Sequence, residues 1–506
     1  MTNVNPPRSV QSYLDETPIW PDGTGGLRSM MTAMQQRIWV LAAAGKFFEG
    51  MIVFMGGVAL PLIAREFGIG PAQHGMVTAA SLLGILVGAS VLGGMSDIYG
   101  RKKMFIVEMI IFTVFLVLVC FSPSFWWLVV CLFGLGIALG CDYPTAHLII
   151  SETMSSDSRG RLVLGAFAFQ AVGALCGTAV GYLVLANVDS IEAWRIMYAV
   201  AIVPAIMVIV ARFFIPESPH FLVVRGDADK AERMVLEILE RTPRYPRAAP
   251  LREQAATPGA SGYKALFRRG QRRATILASV PWFLQDLGTY GIGIFTPVIL
   301  ATAIGHKTEH ATSLSVIIHN DILAAKGAAL IDCLLIVGVI AAILLADKVG
   351  RMRLQMVGFV GCAVGLAIAA LSSTVAGAAQ TAMIFAGFML FNFMTNMGPN
   401  AQTYLIAGEV FPTEIRAKGA GFAASFAKIG AVATAFLFPI LINDIGTDAV
   451  LWGLVVAFLL GAIVTYAFRI ETAGRDLETI GTALDDGAPN AGSEAALGPE
   501  VGGQEA

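Results

Sequence analysis

The residues of this chain that could do chemistry are ionisable side chains placed inside long apolar runs. Charged groups at bilayer depth are costly unless they face a cavity or a partner, so each one marks a candidate site. In chain order they are Lys46, Glu49, Glu108, Asp142, Asp286, Lys326, Asp332 and Lys428. Lys46 and Glu49 share one face of a helix and could neutralise each other, and Asp286 shares a face with Trp282 and Tyr290.

The runs that carry these residues are long enough to cross a membrane. The chain has 506 residues, of which 56% are hydrophobic and 14% are charged. A bilayer core of about 30 Å needs roughly 20 apolar residues per helix. Such runs lie at 38–64, 74–96, 104–122, 125–150, 162–186, 194–214, 274–302, 324–346, 354–373, 378–404, 419–442 and 448–468. We therefore predict an all-α membrane protein whose twelve spans form two six-helix bundles, at 38–214 and 274–470.

The positions of Lys and Arg predict the orientation, because short cytoplasmic loops carry an excess of them. The loops around 101–103 and 348–353 are basic, and so is the linker 215–273, in which Asp227 precedes a short amphipathic helix. We expect a multi-pass protein of the plasma (cytoplasmic) membrane with both termini in the cytoplasm. Those termini are the polar segment 1–37 and the tail 471–506, which has too few apolar residues to fold.

Composition and motifs disfavour other classes of protein. A net charge of −2 gives no support for nucleic-acid binding, and the six cysteines lack metal-ligand spacing. No nucleophile elbow and no Walker-type phosphate loop is present in the sequence. We therefore expect neither an enzyme nor a resident cofactor or metal. The expected partners are the lipid bilayer, a small-molecule substrate and the proton, and we expect a monomer.

Two motifs at the ends of these runs occur once in each half of the chain. The repeated residues are Asp97, Arg101, Glu152 and Arg159 in the first half, and Asp347, Arg351, Glu409 and Arg416 in the second. Paired bundles of helices are how many secondary transporters build a central site and open it to either side in turn. The repeat therefore favours transport.

The stretch Gly93-Gly-Met-Ser-Asp-Ile-Tyr-Gly-Arg-Lys102 resembles the loop signature of the major facilitator superfamily. Pro216-Glu-Ser-Pro219, Gly408-Glu-Val-Phe-Pro412 and Glu471-Thr-Ala-Gly-Arg475 resemble its sugar-porter-like branch. The resemblance spans 38–480 and departs from the family pattern at Ile98, His220 and Ile470. It implies the twelve-helix major facilitator fold and alternating access.

The same resemblance implies a gate. A glycine in a short loop lets two helix ends approach, so Asp97 and Arg101 could form charge-assisted bonds across the two halves. Glu217 and Glu471 resemble latch carboxylates that pair with Arg101, Arg159, Arg351 and Arg416 in the outward-open state. The alternative is that these charges only cap helix ends.

A second resemblance concerns the centre of the bundle. It involves Asp142-Tyr143-Pro144, Gln170, Trp282, Gln285, Asp286, Tyr290, Asn396, Asn400 and Lys428, which together resemble the binding cavity of proton-coupled phosphate porters. Phe47-Phe48-Glu49-Gly50 resembles a motif of bacterial metabolite:proton symporters. These likenesses imply substrate-binding roles for Tyr143, Gln170, Trp282, Gln285, Asp286, Tyr290, Asn396, Asn400 and Lys428, and proton-coupling roles for Glu49, Asp142 and Asp286.

Each of these acidic residues also has a structural interpretation. Glu49 could be locked to Lys46, Asp142 could bond helix ends near Pro144, and Asp286 could bond a tyrosine. Glu108 and Lys326 are expected to reach an interface by snorkelling.

The mixture of cations, aromatics and amides suits an anion, for which Lys428 supplies a point charge. The sequence thus predicts proton-coupled symport of a small polar or anionic metabolite, such as an organic acid or phosphate. A sugar porter, proton-coupled or facilitative, remains an alternative because the motifs at Pro216 and Glu471 are shared with that branch. A nutrient receptor derived from a transporter is the alternative from another class.

Overall fold

The computed structural model describes residues 10–15, 31–91, 95–239, 263–305, 314–411 and 415–472. Twelve helices in these ranges are long and apolar enough to cross a membrane, as predicted. They are α1 (Ala33–Phe67), α2 (Pro71–Val91), α3 (Arg101–Cys120), α4 (Phe125–Thr153), α5 (Ser156–Asn187), α6 (Ala193–Val200 continued by Ile202–Arg212), α7 (Arg272–Gly305), α8 (Leu314–Val349), α9 (Arg351–Ala370), α10 (Ala378–Met397 continued by Pro399–Glu409), α11 (Arg416–Ile445) and α12 (Thr447–Phe468). The predicted all-α membrane fold is confirmed.

Local sequence explains where the first span begins. The Thr32 hydroxyl accepts a bond from the Gln35 amide at 3.1 Å, and the Gln35 side chain accepts one from the Thr32 amide at 3.0 Å. This capping box satisfies two of the free amides of the first turn. The helix therefore starts at Ala33, before the apolar run predicted from residue 38. It ends at Phe67, and the next residue, Gly68, caps it with a φ of 61° that suits glycine.

Two spans predicted as continuous are interrupted. The helix of α6 is interrupted at Ala201, and that of α10 breaks at Gly398. Pro399 follows that glycine and has no amide hydrogen, so it can begin a helix but cannot continue one. Gly398 also lies against Gly358 of α9, so closely that a side chain would not fit.

The spans pack as two halves, α1–α6 and α7–α12, that meet along α2 with α11, α5 with α8, and α1 with α7. Because consecutive spans alternate in direction, the loops at Arg101 and Arg351 lie on one face of the membrane domain, here called the basic side. On the opposite side the backbones of the halves touch. Gly57 of α1 lies against the Ile294 carbonyl of α7, and the Thr78 hydroxyl donates to the Ala435 carbonyl at 2.7 Å.

The linker packs on the basic end of the first half. Its short helices are Pro219–Val224 and Ala228–Ile238. The second of these buries Ala231, Val235 and Ile238 in an apolar cluster with residues of α1, α4 and α5. The Thr32 hydroxyl donates to the Ile238 carbonyl at 2.5 Å. A short helix with one buried face therefore follows Asp227. Most of the predicted tail, from residue 473 onward, lies outside the described residues.

Candidate functional site

Glu49 of α1 is the centre of a buried polar cluster that joins the two halves. Its Oε2 accepts a bond from Lys46 Nζ at 2.9 Å. Its Oε1 accepts bonds from the hydroxyls of Tyr143 in α4 and Tyr290 in α7, both at 3.0 Å. Glu49 is 1% exposed and Lys46 is 4% exposed. The predicted Lys46–Glu49 pair is present, and a tyrosine from each half shares it.

Lys428 of α11 completes this cluster from the second half. Its ammonium group donates to the Tyr290 hydroxyl at 2.6 Å and to Asp286 Oδ2 at 3.2 Å, and it lies 3.9 Å from Glu49 Oε1. The Gln170 amide of α5 donates to the same Tyr290 hydroxyl at 3.3 Å. The cluster holds two ammonium groups and two carboxylates, so its formal charges cancel. That balance lowers the cost of burying it.

A small cavity lies beside the cluster at the junction of the halves. Its volume is about 20 Å³, which admits a single water molecule. Gln170, Thr289, Asn396 and Asn400 supply its polar lining. Asn400 donates to Asn396 Oδ1 at 2.7 Å, while Asn396 donates to a backbone carbonyl of α8. A metabolite would fit here only after these side chains move, so the structure represents a closed form of the site.

The remaining predicted binding residues lie on α7 at the edge of this site. Gln285 donates to Thr289 Oγ1 at 2.6 Å, and its own carbonyl oxygen has no partner among the described residues. Trp282 is buried in an apolar cluster, edge-on to Tyr404 with ring centroids 6.0 Å apart. Tyr404 stacks on Phe167 at 4.6 Å, so rings from the two halves close the cavity on its basic side.

Asp142 lies in a second buried cluster, which is centred on Arg212. Its Oδ1 accepts a bond from Arg212 Nη2 at 3.1 Å, and Glu108 Oε1 accepts one from Arg212 Nη1 at 2.7 Å. Arg212 is fully buried. Gly45 of α1 makes room for this arrangement, because a Cβ there would overlap the Asp142 carboxylate.

This second cluster corrects two expectations from the sequence. Glu108 was expected to snorkel, but it is 2% exposed and paired with Arg212. Asp142 was interpreted as a possible helix-end partner, but it is ion-paired with Arg212 instead. Arg212 itself was missed. The signal that would have found it is the one used for the other candidates, an ionisable residue within an apolar run.

The gating residues form matching networks at the basic end of each half. Arg101 Nε and Nη2 donate to both oxygens of Glu152 at 3.1 and 3.0 Å, and Arg351 donates to both oxygens of Glu409 at 2.8 and 3.0 Å. Ser218 bonds the Glu152 carboxylate in the first half. These bonds to Glu152 and Glu409 lie within each half rather than across the interface.

Glu217 and Glu471 occupy matching positions at helix starts. Glu217 Oε1 accepts from the Lys102 amide at 3.0 Å, and Glu471 accepts from the amides of Arg351 and Met352 at 3.0 and 3.2 Å. A carboxylate at a helix N-terminus is favourable because free amides and the helix dipole point at it. In this conformation the predicted latch carboxylates cap α3 and α9, which agrees with the alternative stated for them.

Other predicted gating residues are only partly visible. Arg159 is within electrostatic range of Glu152. The side chains of Asp97, Asp347 and Arg416 lie outside the described part of the structure. The gating role of the whole set therefore stays a prediction.

The family model described as "Sugar (and other) transporter" matches residues 40–484. A putative metabolite transport protein of Escherichia coli is 28% identical over 450 residues, which cover 88% of this chain and 94% of that protein. A putative inorganic phosphate transporter of Schizosaccharomyces pombe is also 28% identical, with 89% of this chain and 88% of the relative covered. A niacin transporter of Acinetobacter baylyi is 27% identical, with 88% and 95% covered.

Solved structures agree on the architecture. The inward open conformation of the xylose transporter of Escherichia coli aligns with a TM-score of 0.70 at 18% identity, covering 89% of this chain and 99% of that chain. A second structure of the same transporter, described as a proton:xylose symporter of the major facilitator superfamily, aligns with a TM-score of 0.69 at 19% identity, covering 90% of this chain and 100% of that chain. At such identities the likeness concerns the fold. The chain belongs to the sugar (and other) transporter family and is therefore a transporter, not an enzyme.

Proposed function

We propose that this protein is a proton-coupled symporter of a small anionic metabolite, an organic acid or phosphate. The observation that supports this most is the set of donors aimed at Glu49. Lys46, Tyr143 and Tyr290 all donate to one carboxylate, and Lys428 lies 3.9 Å from it. Donors that converge on an internal carboxylate are suited to a carboxylate or phosphate that takes its place.

Coupling follows from competition between Glu49 and the substrate. When Glu49 is ionised it occupies Tyr290 and lies close to Lys428, so an anion entering the cavity would meet a like charge. When Glu49 is protonated, its attraction for these donors weakens and they can turn to the substrate. Proton and anion therefore bind together, which is symport. Asp286 stays beside Lys428 and limits its net positive charge.

The Asp142 cluster is the second group proposed to hold a proton. Two carboxyl groups share one guanidinium group there, and all three side chains are almost fully buried. Glu108 Oε2 and Asp142 Oδ2 have no hydrogen-bond partner among the described residues. An unbalanced buried charge is strongly unfavourable, so one proton shared by the two carboxyl groups would balance the cluster.

Alternating access would use the contacts between the halves. On the opposite side, Gly57 and Thr78 hold α1 and α2 against the second half. On the basic side, the stacked rings of Phe167 and Tyr404 close the cavity. We place the basic side in the cytoplasm, as the positive-inside rule requires, with the protein in the plasma (cytoplasmic) membrane and both termini inside.

The alternative is transport of a sugar, by proton symport or by facilitation. The family match and the structural likeness to a xylose transporter support it. The charges around Glu49 favour an anion, because a neutral sugar gives Lys428 no charge to pair with. The phosphate and niacin transporters among the relatives are consistent with that preference.

The substrate class can be tested by binding to the purified protein. A ligand that binds only the folded state raises the melting temperature by an amount set by its concentration relative to its affinity. Phosphate, mono- and dicarboxylates, nicotinate and xylose are compared at one ionic strength. We expect an anion to stabilise the wild type and to lose its effect in Lys428→Met. Stabilisation by xylose alone would favour the sugar porter.

Coupling is tested in proteoliposomes with the anion found by that screen. Glu49→Gln should abolish uptake driven by a pH gradient while leaving exchange of internal for external substrate. Glu66→Gln is the matched control, because it makes the same change on the same helix at a carboxylate bonded to Arg195 and Trp194. Full gradient-driven uptake by Glu49→Gln would show that this carboxyl does not couple transport to the proton.

A further inference from the structure

Asp332 of α8 is a buried carboxyl group that the proposed mechanism does not use. It is 2% exposed and lies where α8 meets α5 of the other half and α10 of its own. Its Oδ1 accepts a bond from the Asn392 amide of α10 at 3.2 Å. Its Oδ2 has no hydrogen-bond partner among the described residues. One oxygen of this carboxyl group is thus buried without a hydrogen bond among the described residues.

Within the part of the chain that the structure describes, the surroundings of Asp332 contain polar groups but no cation. From α5 the neighbouring polar group is the Thr178 hydroxyl, and from α10 it is the Asn392 amide. Ionisable side chains elsewhere on the helices packed against α8 include Lys46 and Glu49 of α1, Arg159 and Arg161 of α5, Asp286 of α7, Arg351 of α9, and Tyr404 and Glu409 of α10. Among described residues, none of them forms an ion pair with the Asp332 carboxyl group.

This environment distinguishes Asp332 from the other carboxyl groups buried in the spans. Glu49, Glu108, Asp142 and Asp286 each have a lysine or arginine within 3.2 Å of an oxygen. An isolated ionised carboxylate in an apolar interior is so unfavourable that the group takes up a proton instead. The neutral acid suits the site, because Thr178 donates its own hydrogen to the Ala174 carbonyl at 3.1 Å and keeps lone pairs free to accept.

We propose that Asp332 is a further proton-binding site, neutral while α5 and α8 are packed together and ionised when they separate. The two helices belong to different halves, so their separation is part of the change between open and closed forms. Water entering between them would solvate the carboxylate and release the proton. Thr178 lies nearer the Asn187 end of α5 than the Ser156 end, so the proton would be released on the side opposite the basic side. This proposal does not depend on which substrate is carried.

Infrared spectroscopy of the purified full-length protein tests the protonation directly, without a substrate. A protonated carboxylic acid has a carbonyl stretch separate from that of a carboxylate. We expect the spectrum of the wild type minus that of Asp332→Asn to contain this acid band at neutral pH. Glu66→Gln, in which the lost carboxylate is paired with Arg195, should give no such band. Absence of the acid band in the Asp332 difference spectrum would overturn the proposal.

Two further variants keep the test decisive if Asp332→Asn folds poorly. Asp332→Glu should move the band rather than remove it. Asn392→Leu should shift the band to higher frequency, because the carbonyl oxygen of the acid would lose its donor. A spectrum unchanged in both variants would assign the band to another residue and refute the proposal.

The coupling between ionisation of Asp332 and separation of the halves is measured as a distance between two spin labels. Spin labels replace Asn187 at the end of α5 and Ala376 before α10, in a chain whose native cysteines are substituted. The distance between them should increase with pH in the wild type, because ionised Asp332 disfavours the packed form. Asp332→Asn should show a smaller increase. The same pH dependence in both proteins would refute coupling between Asp332 and opening.

Discussion

On the side opposite the basic side, the two halves should be able to close only because residue 57 is a glycine and has no side chain. A Cβ built there would lie 2.0 Å from the Ile294 carbonyl oxygen, whereas ordinary contacts begin near 3.4 Å. The backbones of α1 and α7 would have to separate by more than 1 Å. Overpacking of this kind costs about 2 kcal/mol. The cost applies only to the closed form, because the helices belong to different halves.

The magnitude follows from the population of two states. A penalty of about 2 kcal/mol on the closed form shifts the equilibrium towards the open form roughly 30-fold. Gly56→Ala is the matched control, since its nearest neighbour would be the Tyr198 hydroxyl at 3.4 Å, an ordinary contact. Both substitutions change helix propensity equally. The difference between the two variants therefore reports the contact with Ile294.

The assay is labelling of a cysteine buried only in the closed form. Thr78 is 7% exposed and bonds across the halves, so Thr78→Cys in a chain without native cysteines is a suitable reporter. A membrane-impermeant maleimide added to the outside should label the Gly57→Ala protein at least ten times faster than the Gly56→Ala protein. Equal labelling rates would refute the inference that this contact closes the outer side.

Four other outcomes are expected. Arg212→Met leaves two buried carboxyl groups without a cation and should lower the free energy of unfolding by about 3–5 kcal/mol, measured by denaturation in detergent. Glu471→Gln removes a charged cap from α9 and should lower the free energy of unfolding by about 1 kcal/mol. No change would mean that the cap is dispensable. Lys428→Met should weaken binding of an anion at least tenfold in equilibrium binding, and unchanged affinity would contradict its proposed role. Burial lowers the pKa of His220 in the folded protein, so the free energy of unfolding should fall as the pH drops below about 6.5, the pKa of histidine in the unfolded chain, towards the lower pKa of the folded state. The melting temperature of His220→Gln should depend less on pH over that range.

Much of the fold could be predicted because it depends on local properties of the chain. The number of spans follows from the length of apolar runs, and the two halves follow from the repeat of Arg101 as Arg351. The structure shows that the repeat extends to geometry, since Arg101 bonds Glu152 as Arg351 bonds Glu409. Helix ends were less predictable, because caps such as Thr32 extend a helix beyond its apolar run.

The candidate site was predictable in its residue types but not in its pairings. The pair Lys46 and Glu49 was expected because both residues lie on one turn of a helix. The partner of Asp142 was not, because Arg212 is distant in sequence and reaches it only through the packing of α6 against the other helices of its half. The hydrogen bond that the Tyr290 hydroxyl donates to Glu49 likewise requires the two halves to meet.

The amino-acid sequence alone was enough to predict twelve membrane spans in two related halves, with ionisable groups inside them. Hydropathy, charge distribution and repeats can be read from one end of the chain to the other. The packing of the helices determines which buried charges are paired and which, like Asp332, have no cation nearby among the residues that the structure describes. The reason is that the free energy of a buried charge depends on neighbours within a few ångströms, and those neighbours come from helices far apart in the sequence.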